Sequence, residues 1–485
     1  MPRDFSTLPP DPSWSYADCT ARETGYITHC YHRYPAKFIP QVAARLIREH
    51  SEPGAVVLDP FMGSGTTLVE ALVAGRRARG CDLNPAALIA ARAKTTPIAP
   101  HRLHTALRRF RERLAWLAEE RRGPTLFPPP RPLLPAHEAH ATRESAMSTM
   151  WHGTERWQTY PSPAQRRAMQ ERLDWWFPRD QQRTLGTLLA IVEAEEDPAI
   201  RAFLRCAFSH TLKAASYWLM KSSKPTRDRA KLSNGVPDPV PPLLRQLRKM
   251  QRANLIFWHT VPEAIRRRPE RACDVRLADS RRLPWNDRSV GLVVTSPPYV
   301  TSYEYADLHE LTTLWLGDLI LGGVSTAPHG SRDRGTPPTV PGVTKAGFIG
   351  SAAARTRERA EANSPLARQI VAALRLRSLA KAEEVRQYFL DMQTAFRQMR
   401  RVLKPGGKVC DVIGNTALHG VPILNAEVHA QLLEHLGFTL LHVVKRLIPL
   451  KTLPQGRDPA SGKFTSDKTG AVHAYPEEFI LIARK

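Results

Sequence analysis

Apolar residues in the stretch 36–50, AKFIPQVAARLIREH, recur at helical spacing and run into Pro53-Gly54, which predicts a helix closed by a turn. From Ala55 the run Ala-Val-Val-Leu-Asp-Pro is a short apolar strand ending at Asp59. The loop Phe61-Met-Gly-Ser-Gly-Thr-Thr67 and a helical pattern over Leu68–Ala74 come next. Arg77-Ala-Arg-Gly-Cys-Asp82 then reads as a second strand ending in an acid, with Asn84-Pro85 opening a helix through Ala93. Strand, glycine-containing loop, helix, strand and helix make one βαβ unit of a parallel sheet.

The pattern breaks at residue 97 and resumes near 273. Apolar strands follow at Cys273-Asp-Val-Arg-Leu-Ala-Asp279 and Ser289-Val-Gly-Leu-Val-Val294, and a helix is predicted over Tyr305–Leu316. A further helix from Glu383 leads to Pro405-Gly-Gly and a fifth strand through Gly414. A helix near 425–436 and strands at 438–444 and Glu478–Arg484 complete the pattern. The expected organisation is residues 1–99 and 271–485 as two parts of one α/β domain, split by a mostly helical module at 100–270. A flexible insertion is expected at about 321–381, which is rich in Gly, Pro and Arg.

Charge changes this picture. The chain has 485 residues, with 70 Lys plus Arg against 46 Asp plus Glu, for a formal net charge of +24. Such an excess points to anionic partners such as nucleic acid. Residues 101–270 alone carry 30 basic and 17 acidic residues, and they hold seven of the ten tryptophans. The basic surplus is therefore concentrated in the inserted module. No apolar run approaches the length that spans a bilayer, so no membrane role is expected. The opening Met1-Pro-Arg-Asp-Phe lacks an apolar signal core, and a cytoplasmic setting is expected. Six scattered cysteines without Cys-x-x-Cys give neither a metal-ligand spacing nor a disulfide framework.

Two loops carry the candidate chemistry. In Asp59-Pro60-Phe61-Met-Gly63-Ser-Gly65-Thr66-Thr67 the glycines let the backbone pass close under a ligand, and the acid can meet a polar or cationic group at the sheet's crevice. A P-loop needs Lys after glycine, and Thr66 stands there; a dinucleotide fingerprint needs a third glycine where Leu68 stands. Asp82, ending the next strand, is placed to accept hydrogen bonds from ribose hydroxyls. The second loop is Thr295-Ser296-Pro297-Pro298-Tyr299. Two prolines directly after a central strand stop the ladder and hold carbonyls and side chains rigidly over the sheet edge. The aromatic that follows offers a face for a planar ring.

Together the loops resemble those of the S-adenosylmethionine-dependent amino-methyltransferases of DNA, whose signature is a strand ending in Asp, Asn or Ser, then Pro-Pro and an aromatic. The resemblance covers residues 29–99 and 273–485. It implies a Rossmann-like seven-stranded methyltransferase sheet, mostly parallel with an antiparallel last strand, and S-adenosylmethionine as cofactor. His32-Arg-Tyr-Pro-Ala-Lys37-Phe38 resembles the motif that closes over the cofactor's methionine end. Asp59, Pro60, Phe61, Gly63, Gly65 and Thr66 resemble the cofactor loop, Asp82 the ribose acceptor, and Asp279 the residue near the adenine. Ser296, Pro297, Pro298 and Tyr299 resemble the catalytic loop.

The inserted module is similar to those that read a DNA target. Double-stranded DNA is the implied partner, with a cognate restriction endonuclease as a candidate second one. Serine at 296 resembles the cytosine-N4 members more than the adenine-N6 members, so N4 methylation of a flipped cytosine is expected, with adenine-N6 as the alternative. RNA or protein amines, and a non-catalytic DNA-binding role, are the more distant readings. A cytosine-C5 enzyme would need a Cys nucleophile, commonly after Pro, and the chain has no Pro-Cys pair.

Overall fold

The computed structural model describes residues 4–34, 39–120, 163–222, 224–300, 305–321, 348–349, 360–448, 456–457, 464–465, 472–473 and 477–485. Its centre is a seven-stranded sheet of β1 Val56–Asp59, β2 Arg77–Asp82, β3 Cys273–Leu277, β4 Val290–Thr295, β5 Leu403–Ile413, β6 Thr439–Leu447 and β7 Glu477–Arg484. The spatial order is β3-β2-β1-β4-β5-β7-β6. Strands β1 to β5 run parallel, and β7 is antiparallel to both of its neighbours. The chain winds outward from β1 in one direction and from β4 in the other, so the order reverses between these two strands. In an open parallel sheet that switch leaves a crevice at the strands' carboxyl ends.

The central strands β1 and β4 form where the sequence is continuously apolar, because both faces are covered. Every residue of β1 is buried, as are Leu292, Val293 and Val294 of β4. Helix α1 Pro40–His50 precedes β1, α2 Thr66–Val73 connects β1 to β2 and α3 Pro85–Thr95 follows β2, α1 and α3 each beginning with proline where its missing N–H costs nothing. Asn84 caps α3 by accepting from the Ala86 N–H at 2.9 Å.

The inserted helices are α4 Pro100–Glu120, α5 Pro163–Trp176, α6 Arg179–Glu193, α7 Pro198–Leu212 and α8 Val240–Thr260. They share one hydrophobic core with the sheet part: Phe110, Leu188, Phe203 and Leu247 cluster with Tyr31, Ile89 and Ala93, and with Leu311 and Trp315 of α9 Glu310–Leu321. The strand β3 follows the insertion and pairs with β2 as the sheet's edge, so the insertion interrupts the chain between α3 and β3.

Further along the chain come α10 Pro365–Arg375, α11 Leu379–Val402 and α12 Asn425–His435, while short helices stand at Arg229–Asn234, Glu263–Arg267 and Pro269–Ala272. Helix α10 lies inside the stretch 321–381 expected to be flexible, and this corrects that expectation for residues 365–375. Ala367, Ile370, Val371 and Leu374 repeat at helical spacing and are buried, and Ser364 caps the start by accepting from the Ala367 N–H. The residues at 322–347 lie outside those described. The predicted helix over Tyr305–Leu316 is two helices, Tyr305–Leu308 and α9, separated at His309. The predicted start at Glu383 falls inside α11, which begins at Leu379 behind the Ser378 cap. Pro405-Gly-Gly bulges out within β5: Val290 of β4 pairs with Leu403, yet Leu292 pairs with Lys408.

Asn254 on α8 locks the insertion to the sheet part. Its side-chain oxygen accepts from the Ile98 N–H at 3.1 Å and its amide donates to the Ile98 carbonyl at 2.7 Å, all buried. Asn254→Ala leaves two buried backbone groups unpaired, and the expected loss is about 2 to 4 kcal/mol in urea unfolding. A loss below about 0.5 kcal/mol, the scale of an ordinary surface substitution, would contradict this role.

Candidate active site

Strands β1 and β4 are neighbours, with Leu58 opposite Val293, so the two loops that follow them start side by side. The Thr295 hydroxyl donates to Asp59 Oδ1 at 2.7 Å across this junction. The same oxygen accepts from the Phe61 N–H at 3.0 Å. Thr67, at the start of α2, donates to the Val294 carbonyl at 3.3 Å. The last two residues before the Ser-Pro-Pro-Tyr loop, Val294 and Thr295, are thereby tied to both ends of the cofactor-type loop.

Asp59 is 2% exposed and has no ion-pair partner among the described residues, and burial pushes its pKa up to about 6 against the hydrogen bonds from Thr295, Thr67 and Phe61. Asp82 is also raised to about 6 by burial, opposed by backbone N–H groups of Asn84, Gly63 and Leu83. The buried Cys81 thiol is pushed well up, first by burial and then by Asp82, Asp59 and Asp279. These three carboxylates thus converge at the ends of β1, β2 and β3.

The loop between them is a cradle. Gly63 sits at φ +47° and donates its N–H to Asp82 Oδ2 at 3.0 Å, while a Cβ there would meet the Tyr34 ring at 3.2 Å. Gly65 caps α2 at φ +79°, and a Cβ there would lie 3.1 Å from that of Ala91. Both positions need glycine. The Thr66 hydroxyl at the start of α2 is buried without a hydrogen-bond partner among the described residues. Pro60 is buried and Phe61 is half-buried against the main core.

Asp279 differs from expectation in its engagement. It caps the turn Ser280–Arg282, and both of its oxygens accept from Arg281, which also reaches Asp391 of α11 at 3.0 Å. Lys37 and Phe38 lie outside the described residues.

The catalytic-type loop is held from two sides. The Tyr299 hydroxyl donates to Glu478 Oε1 on β7 at 2.9 Å, and its ring lies so close to Gly414 that a Cβ there would come within 3.0 Å. Arg446 of β6 holds the other Glu478 oxygen at 2.8 Å. Pro297 is buried, Pro298 and Ser296 are half-buried, and the Ser296 hydroxyl makes no hydrogen bond to another described residue. On the far side, Tyr34 stacks on His309 with ring centroids 4.4 Å apart, His32 bonds Ser209 of α7 at 2.8 Å, and Ser209 bonds Thr312 at 2.7 Å. His210 and His309 are pushed down to about 3, mainly by burial and next by His32, so both are neutral near pH 7.

Sequence reasoning assigned no role to Thr295, Thr67, Tyr34 or His309. Tyr34 and Thr295 stood within quoted motifs, but only three dimensions give their partners. The chain's own features fit a cofactor bearing hydroxyls: an orphaned buried hydroxyl at Thr66, a carboxylate at Asp82 and a glycine cradle between them. Among the described residues, no cluster of His, Cys, Asp and Glu could hold a metal ion.

This sheet order, with an acid-ended β1 loop beside a Ser-Pro-Pro-Tyr loop on β4, fits the seven-stranded methyltransferase fold expected from the sequence. Residues 5–92 match the family model described as DNA methylase. The chain is similar to the Type II methyltransferase M.MvaI of Kocuria varians, at 25% identity over 448 residues that cover 90% of this chain and 88% of that one. It is 44% identical over 57 residues to the Type II methyltransferase M.MjaII of Methanocaldococcus jannaschii, covering 12% and 11% of the two chains. Over 40 residues it is 55% identical to the Type II methyltransferase M1.MboII of Moraxella bovis, covering 8% and 15%. The matched family model and the similar Type II methyltransferases support an N4/N6 DNA methyltransferase family for this chain, with S-adenosylmethionine as the implied methyl donor.

The Thr295–Asp59 bond gives a pH-dependent test. The folded state holds the Asp59 proton more tightly than the unfolded chain, so ionising Asp59 costs stability as pH rises from about 4 to about 6. Above that range the Thr295 donor offsets part of the cost. Thr295→Val is expected to lose about 1.5 to 3 kcal/mol near pH 8, where the acceptor is charged, and about 1 kcal/mol near pH 5, where it is neutral. Urea unfolding at both pH values reads the difference, and equal losses would show that Asp59 does not change charge between them.

Proposed function

We propose that the chain is a Type II DNA methyltransferase that places a methyl group from S-adenosylmethionine on the N4 amine of a cytosine extruded from duplex DNA. The observation that carries this reading is the Thr295–Asp59 bond, which joins the cofactor-type and catalytic-type loops at one sheet edge. S-adenosylmethionine, when bound, supplies a sulfonium-activated methyl group. Asp82, Gly63 and Thr66 would hold it, with Asp82 accepting from the ribose.

An exocyclic amine is a poor nucleophile because its lone pair is delocalised into the ring. The Ser296 hydroxyl oxygen and the Pro297 carbonyl accept its two N–H bonds, which draws the nitrogen toward tetrahedral geometry and aims its lone pair. Orientation of this kind supplies roughly 7 to 11 kcal/mol, so no strong base is required. Tyr299, fixed by Glu478, stacks on the extruded ring and recovers about 1 to 3 kcal/mol of the unpairing cost.

Ser296, where adenine-specific members carry Asp or Asn, favours cytosine. The basic helical insertion would read the target through phosphate and base contacts. The Type II relatives make a cognate restriction endonuclease the expected cellular counterpart.

Incubation with duplex DNA and methyl-labelled cofactor, followed by digestion to nucleosides, is expected to give N4-methylcytosine. Label on N6-methyladenine would replace the cytosine assignment, and label on tRNA but not on DNA would overturn the reading. Ser296→Ala combined with Tyr299→Ala is expected to lower kcat at least about a hundredfold while cofactor binding by calorimetry persists. Transfer at the wild-type rate would refute the site assignment.

A further inference from the structure

A second site stands on the inserted module beside this cleft. Past α7 the chain makes a tight hairpin: Leu219 N–H bonds the Thr226 carbonyl at 2.8 Å, Asp228 N–H bonds the Tyr217 carbonyl at 2.7 Å, and Trp218 pairs with Arg227. The hairpin is firmly built. Trp218 stacks on Trp176 at 4.9 Å, and the Tyr217 N–H bonds the Trp176 carbonyl at 2.9 Å. The Lys231 ammonium donates to the carbonyls of Lys213, Ala214, Ser216 and Trp218 at 2.7–3.3 Å, and Lys213 to that of Ser222 at 2.7 Å. Two lysines are thus consumed in holding the hairpin's shape.

Others are presented outward. Residues 213–231 hold six Lys or Arg and one acid, Asp228, whose carboxylate caps the following helix at the Ala230 N–H. Lys221 and Lys224 are exposed near the tip. Arg227 lies 4.5 Å over the ring of Trp175 and 5.1 Å from that of Tyr217, and among the described residues its buried Nε has no hydrogen bond and no carboxylate pairs with it. Trp175 is itself 45% exposed. A guanidinium gripped by two aromatic faces and left uncompensated is organised in advance for an oxyanion.

The location suits the partner. Trp176, which carries the hairpin, donates to Glu310 at 3.1 Å, directly after His309 and its stacked Tyr34. Arg33, exposed beside Tyr34, repels Lys213 closely enough to help depress that lysine to about 8, after burial, the larger cause. The hairpin therefore borders the cleft where a duplex has to approach.

We propose that the hairpin Tyr217–Asp228 grips the phosphate backbone of duplex DNA through Lys221, Lys224 and the Arg227 held on Trp175. This rests on the DNA methyltransferase reading and names the surface that docks the substrate. Fluorescence anisotropy of the full chain with a labelled duplex of scrambled sequence, across a series of salt concentrations, is the test. Each lost phosphate contact lowers the slope of log affinity against log salt by about one.

Lys221→Ala with Lys224→Ala should therefore lower the slope by about two, and Arg227→Ala by about one, while Arg227→Lys keeps the charge and most of the slope. Cofactor affinity by calorimetry should match wild type and shows that each variant is folded. A wild-type slope in the double lysine variant overturns the proposal, even if the arginine variant is weakened by loosening of the hairpin. Wild-type protein that neither binds nor methylates duplex DNA overturns the functional reading instead.

Discussion

Everything at the sheet's carboxyl edge depends on two loops leaving adjacent parallel strands and being fastened to each other before any ligand arrives. The Thr295 hydroxyl and the Asp59 carboxylate make that fastening inside a space closed to water. A carboxylate without a cation is expensive there, which is why its pKa rises to about 6 and why each hydrogen bond onto it counts for more than it would at the surface. The constraint is geometric as well as energetic. Parallel pairing of β1 with β4 puts the Gly63 cradle and the Ser296 hydroxyl at one edge, and a loop on any other strand would start elsewhere.

Around that junction the molecule is stiff where chemistry needs position. Tyr299 reaches across the end of β5 to Glu478 on β7, and Glu478 is held in turn by Arg446 on β6, so the ring's placement is fixed by three strands beyond its own. On the opposite flank, Tyr34, His309, Ser209 and Thr312 bind the segment before β1, the helix after the catalytic loop and the insertion into one buried polar cluster. The insertion is therefore joined to the candidate site by shared core and by hydrogen bonds.

The fold was legible in the sequence to the extent that period and punctuation were unambiguous. The buried strands β1 and β4 are short apolar runs ending in polar residues, and Pro198 behind Asp197 marks the start of α7. Helix α10 escaped because its apolar stripe sits in a stretch dominated by Gly, Pro and Arg, where composition outweighed the period of Ala367, Ile370, Val371 and Leu374. The candidate site was legible as two motifs but not as a network. Thr295, Tyr34 and His309 work through partners distant in the chain, and no local pattern encodes such pairings. Asp279 shows the converse, since its position was readable while its engagement by Arg281 and Asp391 was not.

The most direct test of the central claim is a structure of the chain with a non-reactive amine analogue of S-adenosylmethionine. The account predicts the analogue lying along the Gly63 loop, its ribose on Asp82 and its amine directed at Ser296, with the Thr295–Asp59 bond intact. An analogue seated away from Ser296, or a Thr295–Asp59 bond broken on binding, would contradict it.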